Sequence, residues 1–292
     1  MKRDEGKGIL YENGELDVLP YYSAVSKILS NFLKGKEIAS KIFLPNGAFI
    51  KRGSNSPPLF IEDIASVSKK MLLLRKGNHL DDVKEKLNNK EENIWRYFVP
   101  RKMIHFFYAT NGENLKGDIE RIFIDIDRKE RTPDESRRVA LALVNEILGD
   151  KTFARLIKFR IVILWTGSSF HVLLLLNKKV GRDFYFKNLS YGKKEKSYLE
   201  KWAESISKKT RINVKAGHER EEKVIILDSS GTPPGKLARC PFSLHVKNYK
   251  EYDGICVPVS LKELGNKNLI KNLEKLTPDK VLNNLDKYKK LL

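Results

Sequence analysis

The feature that most constrains the fold is a short apolar strand that ends in two carboxylates. The segment from Arg121 to Asp127 alternates isoleucine with other residues, a pattern typical of a strand. Side chains alternate between the two faces of a strand, so Asp125 and Asp127 share one face and the isoleucines share the other. Like charges this close raise a pKa or recruit a divalent cation, and hard oxygen ligands suit Mg²⁺ or Mn²⁺. A strand that merely ends in a solvated turn is the alternative.

A third carboxylate follows another apolar strand. Val224 to Leu227 is a run of aliphatic residues, and Asp228 ends it. If the two strands are neighbours, Asp228 lies at the same sheet edge as the acidic pair. Three carboxylates can hold two metal ions about 3.5–4 Å apart, which would clamp the attacking and leaving oxygens of an in-line phosphoryl displacement. An aspartate that enters a loop rich in Ser, Gly and Pro is also a common turn former.

Two further segments carry groups that suit phosphate oxygens. The turn from Thr166 to Ser169 offers backbone N–H groups and hydroxyls, and His171 starts the strand that follows. Polar side chains alternate from Arg239 to Lys247, so a single extended strand would place them on one face. A polar hairpin turn, a packed histidine and an edge strand with a solvated face are the alternatives. The candidate anion-binding residues are Ser168, Ser169, His171, Arg239, Ser243, His245 and Lys247.

The rest of the pattern predicts one mixed α/β body with two lobes and no linker between them. We expect an N-terminal α/β lobe over 1–110, with a hairpin turn at 45–47, and a second lobe with a helical tail over 111–292. Helical periodicity covers 21–33, 62–99, 132–148, 198–209 and about 261–292. Strands are predicted at 41–44, 48–51, 103–109, 121–127, 160–165, 171–176, 224–228, 239–247 and 255–257.

Charge narrows the choice of partner. The 292 residues include 56 Lys and Arg against 37 Asp and Glu, a formal net charge of +19. This excess favours nucleic acid or an anionic membrane surface as the partner, and a lysine-rich surface without such a partner is the alternative.

With 41% hydrophobic residues the chain is expected to fold, and two cysteines are too few for a disulfide framework or a four-cysteine zinc site. No apolar targeting or membrane-spanning segment is visible, so we expect a cytoplasmic protein.

Taken together and in this order, the motifs resemble the archaeo-eukaryotic primase superfamily. Its hhhDhD strand corresponds to 122–127, its SGxGxH turn approximately to 166–171, and its hD strand to Leu227 and Asp228. The resemblance implies a primase-polymerase fold, in which an RRM-like catalytic sheet packs against an N-terminal α/β lobe. It also implies a template-dependent nucleotidyltransferase that takes NTP or dNTP and holds the triphosphate with the candidate anion-binding residues. The implied catalytic ligands of Mn²⁺ or Mg²⁺ are Asp125, Asp127 and Asp228.

Within that superfamily, the chain is most similar to the polymerase domain of bacterial DNA ligase D and its stand-alone archaeal relatives. The shared features are the pair Tyr21 and Tyr22, the Pro-Asn-Gly turn at 45–47 between a basic strand and an aromatic-Lys strand, and the run 257–264. The similarity implies gap filling on broken DNA in non-homologous end joining, with a separate DNA ligase and an end-binding protein as partners and no membrane. The implied DNA-binding surface, which grips a 5′-phosphate across a gap, comprises Lys41, Phe49, Lys51 and Arg52.

Departures from the ligase D pattern keep two alternatives open. Ser168 and Ser169 stand where the ligase D turn has lysine and glycine. The segment from Ser243 to Lys247 is more like the replicative primase small subunit, whose zinc-binding cysteines this chain lacks. One alternative is therefore a replicative or plasmid primase that synthesises primers on single-stranded template. The other is a catalytically idle accessory subunit that only binds nucleic acid.

Overall fold

A computed structural model describes residues 8–44, 46–99, 101, 104–219, 221–246 and 252–292. Within these ranges twelve strands form three sheets, surrounded by thirteen α-helices and two short 3-10 helices. The strands are β1 Ile38–Leu44, β2 Gly47–Lys51, β3 Ile104–Ala109, β4 Ile119–Asp127, β5 Phe159–Trp165, β6 Phe170–Val180, β7 Val214–Ala216, β8 Ile225–Asp228, β9 Leu237–Arg239, β10 Leu244–Val246, β11 Tyr252–Ile255 and β12 Val257–Val259. The α-helices are α1 Leu19–Phe32, α2 Ile61–Ala65, α3 Lys69–Arg75, α4 Leu80–Val83, α5 Asn89–Tyr97, α6 Pro133–Gly149, α7 Lys151–Leu156, α8 Arg182–Asn188, α9 Tyr198–Thr210, α10 Leu261–Leu264, α11 Leu269–Leu273, α12 Pro278–Leu282 and α13 Leu285–Lys289, and the 3-10 helices are Ile9–Tyr11 and Lys84–Lys86. Over the described ranges, none of these helices combines the length and the apolar character that a membrane crossing needs.

The first sheet has the order β2-β1-β3-β9, and every pair in it is antiparallel. The predicted hairpin is confirmed, because β1 pairs with β2 from Leu44 opposite Gly47 onward; Pro45 of its turn lies outside the described residues. Helix α1 packs on this sheet through Tyr22, whose hydroxyl donates to the carbonyl of Ile104 at 2.7 Å and whose ring centroid lies 4.7 Å from that of Phe106. A buried tyrosine needs such a partner for its hydroxyl, which explains why this residue anchors the helix.

The second sheet has the order β12-β5-β6-β4-β8-β7, with β7 and β8 parallel and the other pairs antiparallel. Ile122, Ile124 and Ile126 of β4 are fully buried on the face that α6 covers. Helix α6 begins with a capping box, in which Thr132 accepts from the backbone N–H of Glu135 at 3.2 Å. The helices cover the apolar face of β4. On the opposite face Phe123 is buried, whereas Asp125 and Asp127 at the end of the strand are partly exposed.

Several contacts join the two predicted lobes. Strand β9, which follows the second sheet in sequence, completes the first sheet beside β3. The hydroxyl of Tyr21 on α1 donates to the carbonyl of Phe242 at 2.8 Å. Near the start of the described chain, the backbone N–H of Ile9 donates to Asp279 of α12 at 3.1 Å. The boundary predicted at residue 110 lies in the connection from β3 to β4, and it stays a prediction.

Two strand predictions were wrong. The segment 239–247 is not one extended strand, because β9 and β10 belong to different sheets and the chain turns between them at Phe242, which has a φ of 67°. The strand expected at 255–257 is likewise divided into β11, which pairs with β10, and β12, which pairs with β5. Alternation of polar and apolar residues is a local signal, and it does not reveal that a chain crosses from one sheet to another.

Candidate active site

Three carboxylates lie on the open face of the second sheet. Strand β4 stands between β6 and β8, and the register pairs Asp125 with His171 on one side and with Asp228 on the other. Paired residues of antiparallel strands point to the same face, and Asp127 follows Asp125 by two residues. The predicted adjacency of the two acidic strands is therefore confirmed, while the role of the carboxylates as metal ligands stays a prediction.

The carboxylate of Asp228 is held by two residues that sequence reasoning did not single out. His218, in the connection from β7 to β8, places Nδ1 2.7 Å from Oδ2 of Asp228. Ser230 donates its backbone N–H to Oδ1 at 2.7 Å and its hydroxyl to Oδ2 at 3.0 Å. On the neighbouring strand, Asp127 accepts from the backbone N–H of Lys129 at 3.2 Å. No pattern in the sequence marked His218, because its partner is ten residues away and is reached only through the return of the chain into β8.

His171 lies beside the carboxylates. Its Nε2 is 3.3 Å from Oδ1 of Asp125, and its ring packs edge-on against Phe123 with centroids 4.7 Å apart. Only 7% of the side chain is exposed. The sequence placed His171 with the phosphate-binding groups of the 166–169 turn, whereas the structure places its side chain against a carboxylate.

The 166–169 turn packs tightly against the β10–β11 hairpin through two glycines. Gly167 has a φ of 102°, and a Cβ added there would lie 2.4 Å from the Cβ of His245. A Cβ added at Gly254 would lie 2.5 Å from the carbonyl oxygen of Gly167. Neither position has room for a side chain, so the turn and the hairpin approach each other closely. Ser168 Oγ lies 3.3 Å from Nε2 of His245. Nδ1 of the same histidine faces the carboxylate of Asp253.

Arg128 supports the same turn, and sequence reasoning missed it. Its Nε donates to the carbonyl oxygen of Ser168 at 2.7 Å, and Nη1 donates to the carbonyl oxygen of Arg131. The guanidinium therefore connects the end of β4 to the turn. An arginine directly after an acidic strand is a usable signal, since it can neutralise the carboxylates or brace a neighbouring loop.

Two of the predicted nucleotide-binding hydroxyls are used inside the protein. Ser169 is buried and donates to the carbonyl oxygen of Ile126. Ser243 is fully buried, accepts from the backbone N–H of Phe106 at 2.9 Å and donates to the carbonyl oxygen of Leu244 at 3.1 Å. These hydroxyls fix the backbone, and their hydrogen bonds are made within the protein.

Positive charge converges around a buried histidine that the sequence analysis did not consider. Burial and, in that order, the neighbouring Arg239, His245 and Lys41 together lower the pKa of His105 to about 2. Nε2 of His105 accepts from the backbone N–H of Val246 at 2.6 Å, which suits a neutral ring. In sequence, His105 is one polar residue in an apolar strand, a pattern more typical of a core position. Lys247, also predicted here, lies outside the described residues.

The register of the hairpin contradicts the prediction of one basic patch. Lys41 pairs with Ile50 of β2 and with His105 of β3, so it shares the face of the converging positive charge. Phe49 and Lys51 are opposite Ile42 and Ser40, respectively, on the other face. Since neighbouring positions of a strand alternate between faces, Lys41 is separated from Phe49 and Lys51 by the thickness of the sheet.

The remaining basic residues of the hairpin already have partners. Arg52 donates to both carboxylate oxygens of Glu113, at 2.9 and 2.6 Å, and to the carbonyl oxygen of Gly235 at 2.8 Å. Lys51 donates to the carbonyl oxygen of Arg96, and burial lowers its pKa. Phe49 is 40% exposed, which leaves its ring accessible.

The chemistry of the acidic face suits a divalent metal ion. Asp125, Asp127 and Asp228 present hard oxygen donors on one sheet face, the ligand type that Mg²⁺ and Mn²⁺ prefer. Within the described residues, no group of three or more His, Cys, Asp or Glu side chains is gathered into a metal-binding arrangement. The chemistry of the three carboxylates fits such an ion, although the carboxylate of Asp228 is turned toward His218 and Ser230.

Comparison with known proteins supports the predicted fold. No protein-family model matches the sequence, and no curated protein is significantly similar to it. Among solved structures, the polymerase domain from Mycobacterium tuberculosis ligase D, in complex with DNA, aligns over 98% of this chain and 94% of that chain, with a TM-score of 0.59. The chain has the fold of that polymerase domain. The predicted fold class is confirmed, and at 15% identity the likeness concerns the fold alone.

Proposed function

We propose that this chain is a template-dependent nucleotidyltransferase of the primase-polymerase type, which extends 3′-hydroxyls and fills short gaps at DNA breaks. The observation that carries the proposal is the shared face of Asp125, Asp127 and Asp228 at the centre of the second sheet. Next to it lie a glycine-packed turn and a convergence of positive charge, the groups that a nucleoside triphosphate needs. The fold shared with a polymerase domain supports the same assignment.

In this proposal the acidic groups bind the metal ion and the basic groups bind the phosphates. Asp125, Asp127 and Asp228 would hold Mn²⁺ or Mg²⁺, which neutralises the triphosphate and lowers the pKa of the attacking hydroxyl when bound. Ser168, His245 and Arg239 would bind the phosphates, because they lie around the 166–169 turn and the cationic region. Lys41 would add a positive charge on the same face, and its partner there is the nucleotide or the template strand.

The gap-filling role rests on the face of the β1–β2 hairpin that carries Phe49 and Lys51. Phe49 is exposed there, and Lys51 lies 5.7 Å from its ring centroid. An aromatic ring beside a cation suits a base next to a phosphate at a DNA end. A separate DNA ligase and an end-binding protein would complete the repair, and the proposed location is the cytoplasm.

Alanine substitution of each carboxylate tests the chemistry. Asp125→Ala, Asp127→Ala and Asp228→Ala should each abolish primer extension on gapped DNA while leaving DNA affinity, measured by fluorescence anisotropy, largely intact. Asp286→Ala, an exposed aspartate on α13, is the matched control and should behave as the wild type. Robust primer extension by Asp228→Ala with either Mn²⁺ or Mg²⁺ would contradict the proposal. DNA binding by the wild type without any synthesis would favour a non-catalytic subunit that only binds nucleic acid.

Gaps with and without a 5′-phosphate test the repair role. The wild type should fill phosphorylated gaps faster, since a primase that starts a new chain has no downstream phosphate to recognise. Because the two lysines lie on opposite faces, they are replaced one at a time. Lys51→Ala should remove the preference for the phosphate, and Lys41→Ala should weaken nucleotide addition on both substrates. Equal filling of both gaps, with efficient primer synthesis on bare single strands, would move the assignment to a primase.

A further inference from the structure

His218 makes a contact with the acidic face that neither the motifs nor the fold explain. The residue lies in the connection from β7 to β8, outside every segment that the sequence analysis singled out. Its side chain is 69% exposed, so packing does not hold the ring in place. The contact that fixes it is the one between Nδ1 and Oδ2 of Asp228, at 2.7 Å.

We propose that His218 is a positioning residue that fixes the Asp228 carboxylate and directs its Oδ1 atom to the metal ion. This inference rests on the proposed function, because it assigns a task within the same site. A carboxylate only accepts hydrogen bonds, so Nδ1 of His218 carries the proton and donates it to Oδ2. Ser230 Oγ lies 3.3 Å from the same nitrogen and 3.0 Å from Oδ2, which closes a small network around that oxygen.

The distribution of hydrogen bonds determines which oxygen of Asp228 would be available to a metal ion. Oδ2 of Asp228 accepts from His218 and from the hydroxyl of Ser230, which uses the two lone pairs of that atom. Oδ1 accepts from the backbone N–H of Ser230 and retains the capacity to ligate. Ser230 is two residues from Asp228 and supplies a local turn contact, whereas His218 reaches the carboxylate from another part of the chain. The histidine therefore adds a second restraint on rotation of the carboxylate, independent of the local turn.

Three substitutions of His218 separate this role from others. Alanine removes the donor. Asparagine places an amide nitrogen where Nδ1 stands, and glutamine places one nearer to Nε2. The measurement is Mn²⁺ affinity by electron paramagnetic resonance in the presence of DNA without nucleotide, so no catalytic turnover is needed.

Partners of metal ligands typically contribute about 10–100-fold to metal affinity. We expect His218→Ala and His218→Gln to weaken Mn²⁺ binding by at least about tenfold, and His218→Asn to remain within about threefold of the wild type. Because the ring is exposed, the melting temperature of all three should be unchanged, which excludes misfolding as the cause.

Asp228→Ala, measured in parallel, separates failure of this inference from failure of the proposed function. If Asp228→Ala loses Mn²⁺ while His218→Ala binds it like the wild type, the positioning role is wrong and the metal site stands. Retained Mn²⁺ affinity in His218→Gln but not in His218→Asn would also overturn the positioning role, because Nε2 and not Nδ1 would then make the contact that matters. If Asp228→Ala binds Mn²⁺ normally, both proposals fail.

Discussion

Replacing Gly254 with alanine tests whether the packing of the β10–β11 hairpin shapes the proposed nucleotide site. A Cβ at this position would lie 2.5 Å from the carbonyl oxygen of Gly167, 2.6 Å from its Cα and 2.9 Å from its carbonyl carbon. All three are backbone atoms, so no side chain can rotate to make room. Since non-bonded heavy atoms prefer about 3.5–4.0 Å, the hairpin and the 166–169 turn must separate by roughly 1 Å.

This displacement should affect catalysis more than stability. Ser168 and His245 stand on the two segments that separate, and their side chains lie 3.3 Å apart. A misplacement of about 1 Å in a positioning group costs on the order of 100-fold in rate. Overpacking of a well-packed contact costs about 1–3 kcal/mol of the free energy of unfolding. We therefore expect kcat/KM for the nucleotide to fall about 100-fold and the melting temperature to fall by several degrees.

The assay is single-nucleotide addition on a fixed primer-template at varied nucleotide concentration, with DNA affinity measured separately. Gly149→Ala is the matched control, because a Cβ at Gly149 meets nothing within 4 Å and no positive φ is required there. The control should be neutral or slightly stabilising. Wild-type kcat/KM in Gly254→Ala would refute the reasoning, since it would show that the packing relaxes without moving Ser168 away from His245.

Three further predictions concern stability and DNA affinity. Arg75 and Asp17 form a fully buried ion pair at 2.8 Å, so Arg75→Met should cost about 3–5 kcal/mol in urea unfolding, and adding Asp17→Asn should recover part of the loss. His105 has a pKa near 2 in the folded protein against about 6.5 when unfolded, so the unfolded state takes up the proton as pH falls below 6.5. Because folded His105 stays neutral, the free energy of unfolding should be about 2 kcal/mol lower at pH 5 than at neutral pH. His105→Gln should remove this part of the pH dependence. With a net charge of +19, DNA affinity should fall steeply with salt, by a slope of about −0.7 to −0.9 per phosphate contact on a log–log plot, and a flat dependence would favour a merely solvated basic surface.

Local patterns were sufficient for most elements and for the acidic face. Alternation along 121–127 placed Asp125 and Asp127 on one face. Asp228, at the end of a later apolar run, was expected at the same sheet edge if the two strands are neighbours, and the register shows that they are. The turn at 45–47 predicted the β1–β2 hairpin, and the helical periodicity over 132–148 predicted α6. These features depend on side-chain direction, turn chemistry and helical periodicity, all of which act over a few neighbouring residues.

Only the tertiary structure decided which residues meet across the site. Strand register put Lys41 on the face of His105 and not beside Lys51, although all belong to the same small sheet. The return of the chain into β8 brought His218 to Asp228. Such contacts join residues whose spacing in the sequence carries no periodic signal, because they arise from the packing of whole strands and loops. A one-residue change in register would reverse every face, so these assignments depend on the packing of the complete fold.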